Sequence, residues 1–161
     1  MASIQARPRD QTVGSGAICR QILEPLPGWF GIPESVADYV AGSDRLPTVI
    51  ASVGDKDIGI LTWFVRTPFA AEVYVMGVLP ELHRQGIGRQ LLDHVENSLA
   101  NDGIEFLQVK TLSHSKPDDE YDRTRASYSA CGFRALEEFP NLWDIENPAL
   151  QMIKRIASTR S

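Results

Sequence analysis

The residues best able to do chemistry lie between Ala71 and Leu92. Gly86 and Gly88 stand two apart in His83-Arg84-Gln85-Gly86-Ile87-Gly88-Arg89, where an apolar run gives way to helical spacing. A glycine pair at a helix N-terminus lets the backbone approach a ligand closely and leaves unpaired N–H groups pointing outward. Together with the positive end of the helix dipole, those donors favour a phosphate. His83, Arg84 and Arg89 add positive charge there, in a chain whose net charge is -5. The same glycines could serve only to pack helix on sheet, and a lone G-x-G leaves both readings open. Other phosphate loops fit poorly: there is no third glycine for G-x-G-x-x-G and no G-x-x-x-x-G-K-[ST].

The elements that must position this turn are a strand before it and a helix after it. Val73, Val75 and Val78 are β-formers in a continuous apolar run that Pro80 ends, and Glu81-Leu82-His83 form a turn. A helix opens over Arg84 to Arg89, with Ile87, Leu91, Leu92, Val95 and Leu99 at helical spacing, and Gly103 caps its end. Residues 1–15 read as a flexible tail and Ala17 to Leu23 as a first strand, broken by Pro25, Pro27 and Gly28. Pro33-Glu34-Ser35 opens a helix with Val36, Tyr39 and Val40 on its apolar face. Pro47 to Val53 and Ile58 to Val65 form a hairpin around Gly54-Asp55-Lys56-Asp57. A strand over Ile104 to Lys110, a helix through about Ala130, and strands over Phe133 to Phe139 and Leu150 to Ile156 complete the chain. The order β-α-β-β-β-α-β-α-β-β is a mixed α/β plan.

The strand ending Val78-Leu79-Pro80, followed by His83-x-x-Gly86-x-Gly88, resembles the acyl-CoA motif [QR]-x-x-G-x-[GA] of the GNAT (GCN5-related) N-acetyltransferases. The resemblance covers residues 16–156 and implies one GNAT domain over 16–161: a central, mixed, mostly antiparallel sheet flanked by helices. The plan departs from the family's in showing one early helix where two are frequent. The resemblance also implies that the amides of Arg84, Gln85, Gly86, Ile87, Gly88 and Arg89 hold the CoA pyrophosphate. His83 replaces the usual Gln or Arg; an imidazole still donates a hydrogen bond. By the same register Met76, Gly77 and Val78 would pair through their backbones with pantetheine, with Gly77 at a bulge and the Met76 N–H as oxyanion donor.

Acetyl transfer to an amine needs a proton acceptor for the amine, a donor for the oxyanion and a proton for the thiolate. Glu72 lies early in the central strand within an apolar run, where a carboxylate is costly unless it has a partner or a task. Ala71-Glu72-Val73 matches the segment that carries the general base in the histone-acetyltransferase branch, and burial is expected to raise the pKa of Glu72 towards a useful range. Its plain alternative is a strand-end glutamate facing water. Tyr128-Ser-Ala-Cys-Gly-Phe133 resembles the family's Y-x-x-x-G-[FY], in which the phenol is general acid near the CoA sulfur. Packing of the Tyr128 ring is compatible with that role. Tyr121, Thr124 and Ser127 depart from the N-x-x-A-x-x-[LF]-Y pattern that precedes it, so no side-chain hydrogen bond to pantetheine is expected from that turn.

Trp29, Phe30, Trp63, Tyr74, Tyr121 and Trp143 are candidates for an acceptor pocket, against the commoner reading of such aromatics as core. Asp118, Asp119 and Glu120 could meet an ammonium group but fit better as acids at a helix start. His114 reads as a solvated loop residue and His94 as an exposed helix residue. Cys19 and Cys131 read as buried small hydrophobes, too few for a disulfide framework. No Cys/His spacing suggests a metal site.

With 43% hydrophobic and 23% charged residues, the composition is that of a soluble domain. The acidic pI, about 5.2, argues against a nucleic-acid surface, and no apolar run suggests a membrane span or signal peptide. The function that the GNAT resemblance implies is that of an acetyl-CoA-dependent N-acetyltransferase, expected to be cytoplasmic and to act on a small-molecule primary amine by direct transfer, without a metal. The alternative is a GNAT-fold CoA-binding module without catalysis. Whether the protein is a homodimer stays open.

Overall fold

The computed structural model describes residues 6–26 and 33–156. In chain order the elements are β1 (Arg7–Gln11), α1 (Gly16–Leu23), α2 (Pro33–Arg45), β2 (Thr48–Val53), β3 (Lys56–Thr67), β4 (Ala70–Val78), a 3₁₀ turn (Pro80–Leu82), α3 (Ile87–Asn101), β5 (Phe106–Leu112), α4 (Asp119–Ala130), β6 (Arg134–Asp144) and β7 (Asn147–Arg155). These residues form two compact units, Met1–Phe64 with Val73–Leu99, and Val65–Glu72 with Ala100–Ser161.

The first unit holds the strand order β1-β2-β3-β4. β2 is buried along all but its last residue, which explains its unbroken Val-Ile-Ala run. Its hairpin to β3 turns at Gly54, whose φ of 59° is the left-handed value that glycine adopts without strain. Residues 7–11, expected within a flexible tail, instead pair antiparallel with β2, from Arg7 opposite Ser52 to Gln11 opposite Thr48. Arg9 fixes that strand by donating to Asp57 at 2.8 Å and to Ser52.

Ala17 to Leu23, expected as a strand, is the helix α1, so two helices precede β2 rather than one. Cys19, Ile22 and Leu23 form its buried face, and the Asp44 carboxylate accepts from the Gly16 N–H at 2.7 Å, capping the helix from outside. Three buried hydroxyls in this core pair with one another: Thr62 Oγ1 lies 2.9 Å from Ser43 Oγ and 2.8 Å from Thr48 Oγ1. Ile87, Leu91, Leu92, Val95 and Leu99 of α3 are all buried, as their spacing predicts. Gly77 has a packing reason: a Cβ there would stand 2.9 Å from Leu23 Cδ2.

The second unit holds the order β5-β7-β6, all antiparallel, together with the tip of the β3–β4 hairpin. The hairpin tip is tied in by the Phe69 carbonyl, which accepts from Glu105 N at 2.8 Å and Phe106 N at 3.0 Å. Asp118 caps α4 through hydrogen bonds from Glu120 N and Tyr121 N. β6 is longer than expected and bulged: its ladder with β7 runs to Phe139 opposite Ala149, then resumes only at Asp144 opposite Asn147. Cys19 is buried as expected, but Cys131, at the C-cap of α4, is only half-buried.

Candidate functional site

The glycine turn is built by alternation of backbone hand. Arg84 has φ 66° and Gly86 φ 79°, so the helix cannot start at Arg84 as expected and starts at Ile87. Non-glycine residues seldom hold such a φ, and the sign change about Gln85 is the backbone pattern that turns successive N–H groups towards one concavity. The Gly86 carbonyl accepts the first helical bond, from Gln90 N at 3.1 Å. The N–H groups of the opening turn therefore have no partner within α3.

The packing explanation for these glycines fails at both positions. Among the described residues, nothing lies within 4 Å of a Cβ added at Gly86; at Gly88 such a Cβ meets only Met76 Cε, at an ordinary 3.8 Å. Gly86 is explained by its φ. Gly88 has neither a positive φ nor a close neighbour, so its missing side chain leaves surface open. Arg84 and Arg89 are exposed beside it.

His83 is engaged by the protein itself. Its Nε2 lies 2.7 Å from the Val78 carbonyl, and because a carbonyl only accepts, the proton sits on Nε2. The imidazole thus ties the end of β4 to the start of the turn, and the Leu79 N–H, donating to the Ile58 carbonyl at 2.9 Å, holds the same end to β3.

Glu72, in the second unit, is 6% exposed and far from a bare strand-end carboxylate. Arg66 embraces it with Nε at 3.2 Å from Oε1 and a second nitrogen at 3.3 Å from Oε2, while Oε1 also accepts from Gln108 at 2.7 Å and Lys110 Nζ at 2.8 Å. Burial pushes the carboxyl up, but the bonds from Arg66, Lys110 and Gln108 outweigh it and hold the pKa below the usual glutamate value. The expectation of a raised pKa is therefore reversed. Arg66, Gln108 and Lys110 were not singled out in the sequence. The signal was present in β5, where Gln108 and Lys110 alternate with Leu107 and Val109 and so mark a polar face.

Tyr128 is buried at 6% exposure, its ring edge-on to Phe133 with centroids 5.3 Å apart. Its carbonyl accepts from Cys131 N and Phe133 N as α4 closes, and Gly132 reverses the chain at φ 99°. The Tyr-x-x-x-Gly-Phe spacing therefore has a local structural reason, whatever the hydroxyl does.

The aromatic candidates divide. Tyr74 donates to the Asp38 carbonyl at 3.0 Å and packs edge-on to Tyr39 and Phe64, which is core behaviour. Trp143 is 47% exposed, Trp63 and Tyr121 are half-buried, and Trp29 and Phe30 lie outside the described residues. Asp118 is the cap described above, with Asp119 and Glu120 in the first turn of α4. His114 is exposed; His94 is only partly so and pairs with Asp10 at 3.0 Å. An open cleft of about 610 Å³ in the second unit, lined by Lys116, Glu138, Asn141, Ile145 and Glu146 among others, contains none of the predicted site residues. Among the described residues no group of His, Cys, Asp and Glu could hold a metal, and no helix is long and apolar enough to cross a membrane.

Comparison with known proteins places this architecture. The family model for the acetyltransferase (GNAT) domain matches residues 44–135. No curated protein matches the chain. Among solved structures, a GNAT-family protein from Desulfovibrio desulfuricans superimposes with a TM-score of 0.77 at 19% identity, over 95% of this chain and 100% of that one. A GNAT-family acetyltransferase from Elizabethkingia anophelis with acetyl-CoA bound gives 0.71 at 18% identity, covering 93% and 97%. The ribosomal-protein-S18-alanine N-acetyltransferase from Escherichia coli gives 0.71 at 18%, covering 96% and 99%. With its mostly antiparallel sheet flanked by helices and more than half its length matched by the family model, the chain belongs to the GNAT acetyltransferase family.

Proposed function

We propose that this protein transfers an acetyl group from acetyl-CoA to the primary amine of a small molecule, directly within a ternary complex in the cytoplasm and without a metal. The observation that carries the reading is the turn from Arg84 to Gly88, where Gly88 is required neither by φ nor by packing. A pyrophosphate approaching the N–H groups at the start of α3 gives that glycine a reason. In this reading the amides of Arg84, Gln85, Gly86, Ile87, Gly88 and Arg89 hold the phosphates and Met76, Gly77 and Val78 pair with pantetheine. His83 supports that strand end through Val78 rather than touching the cofactor.

The catalytic roles follow from charge states. Tyr128 is the proposed general acid for the thiolate, since a phenol with a pKa of ~10 keeps its proton at neutral pH. Glu72 is the proposed proton acceptor, with its timing set by its low pKa. A carboxylate held down by Arg66 and Lys110 is too weak a base for a free alkylammonium of pKa ~10. Once the amine has attacked the thioester its nitrogen becomes strongly acidic, and a weak base then suffices. The acceptor must therefore arrive already neutral.

The test is calorimetry with acetyl-CoA followed by thiol release across a panel of amines. Binding with turnover on any amine supports the reading, and absence of binding refutes it. The reading without catalysis, a CoA-binding module, is favoured by the low basicity of Glu72, by His83 at the first motif position and by the departures at Tyr121, Thr124 and Ser127; binding without turnover on any amine would select it.

A further inference from the structure

We infer that Arg66 is a positioning residue for proton transfer: its guanidinium fixes the Glu72 carboxylate so that Oε2, and not Oε1, takes the proton from the acceptor nitrogen. The inference deepens the acetyltransferase reading and rests on Glu72 as its proton acceptor.

The two oxygens of Glu72 are unequally occupied. A carboxylate oxygen offers two lone pairs. Oε1 already accepts from Arg66 Nε at 3.2 Å, Gln108 at 2.7 Å and Lys110 Nζ at 2.8 Å. Oε2 accepts once, from the second Arg66 nitrogen at 3.3 Å. Oε1 is therefore saturated, and among the described residues Oε2 keeps a lone pair open. A proton arriving at Oε1 would have to displace a donor, and two of those three donors carry a full charge.

The same inequality shows what aims Oε2. Gln108 and Lys110 both reach Oε1, so they pin that atom and leave the carboxylate able to swing about it. The bond from Arg66 to Oε2 resists the swing, and a planar guanidinium can meet both oxygens at once where an ammonium cannot. Burial does not fix Arg66, whose side chain is 46% exposed. Its placement comes in part from the β3–β4 hairpin. Thr67 Oγ1 accepts from Phe69 N and Ala70 N at 3.1 Å each, closing the turn that joins Arg66 to Glu72. In the proton transfer, an N–H bond of the attacking amine breaks, its electron pair stays on nitrogen, and an O–H bond forms at Oε2. The three donors on Oε1 stay in place, which keeps the protonated carboxyl acidic enough to pass the proton on to water.

The experiment compares Arg66→Lys and Arg66→Gln in the full-length protein. Thiol release from acetyl-CoA, with the panel amine that turns over fastest, gives kcat; carbon-13 NMR of the glutamate carboxyls gives the titration of Glu72. In Arg66→Gln that carboxyl should titrate higher than in wild type, and Arg66→Lys, which keeps the charge, should recover most of the wild-type titration. Neither should recover kcat, which is expected to fall roughly 10- to 100-fold in both with KM for acetyl-CoA unchanged, as for a misplaced reacting group. Recovery of kcat in Arg66→Lys would show that charge alone matters and overturns the positioning role; wild-type kcat in Arg66→Gln overturns it too. Should both variants fail to fold, the wild-type protein decides. Nitrogen-15 NMR must show hindered rotation of the Arg66 guanidinium at pH 7, released as Glu72 is protonated, and free rotation at pH 7 refutes the fork. An inactive Glu72→Gln beside a fully active Arg66→Lys refutes the positioning role alone. A fully active Glu72→Gln, or no turnover on any amine, refutes the underlying reading and this inference together.

Discussion

Replacing Gly88 with alanine separates what the fold asks of the glycine turn from what a ligand asks of it. The added methyl would meet Met76 Cε at 3.8 Å and nothing nearer among the described residues, and the backbone there is not left-handed. No strain therefore opposes the substitution. Alanine is better than glycine in a helix by up to ~1 kcal/mol, and by roughly half of that near an end. At about 2–4 °C per kcal/mol for a chain of this size, Gly88→Ala should melt about 1–2 °C higher than wild type. The same methyl would stand where a phosphate oxygen approaches the opening amides of α3. Acetyl-CoA affinity should fall tenfold or more, a loss of at least ~1.4 kcal/mol. Thermal melts without ligand and calorimetry with acetyl-CoA read the two effects independently. A higher melting temperature with unchanged affinity would refute the ligand argument, and a lower melting temperature would show that Gly88 serves packing after all.

Three further outcomes follow from the second unit. Because the folded pKa of Glu72 is depressed, its ion pairs stabilise the protein fully above the ordinary glutamate range, and that stability is lost as pH falls through and below it. Glu72→Gln should cost roughly 2–4 kcal/mol at pH 7 in urea unfolding, since it removes the buried negative charge that Lys110 and Arg66 meet, and the difference from wild type should shrink on acidification; equal stability at pH 7 would mean that the cluster is not closed in solution. For the enzyme, kcat/KM should keep rising with pH towards the pKa of the amine instead of levelling just above the carboxylate range. Tyr128→Phe should preserve the edge-on contact with Phe133, the fold and acetyl-CoA affinity, while kcat falls roughly 100-fold, as expected for loss of a general acid; an unchanged kcat would make Tyr128 a packing residue only.

How far the chain could be read from its residues depended on how local each cause was. The strand, turn and helix around Gly86 were legible because valines, Pro80 and the α3 stripe each act within a few positions. The start of α3 was misplaced by three residues because the left-handed φ of Arg84 is not a glycine signal. The short stretch from Ala17 to Leu23, with its mixed Ile, Cys and Leu, fits a strand as well as a helix; the Asp44 cap and the hydrophobic contacts that decide for α1 come from elsewhere in the chain. β1, Arg-Pro-Arg-Asp-Gln, has almost no strand propensity and exists through its pairing with β2 and the Arg9–Asp57 bond. The sign of the Glu72 shift depended on Arg66, Gln108 and Lys110, partners up to 38 positions away, which no local pattern connects to it.

The bulge in β6 bears on how this protein behaves at high concentration. β6 is last in the strand order, and Leu136, Leu142, Trp143 and Ile145 on and beside it are each at least 47% exposed. A straight strand of that composition invites the same segment of another molecule to add on, which is how sheets grow into fibrils. Here the ladder breaks between Phe139 and Asp144, and Pro140, inside the break, has no N–H to offer a newcomer. A few irregular residues at the rim thus oppose strand addition at this edge. An otherwise conservative change that straightened them would expose the protein to fibril growth without disturbing anything that binds or reacts.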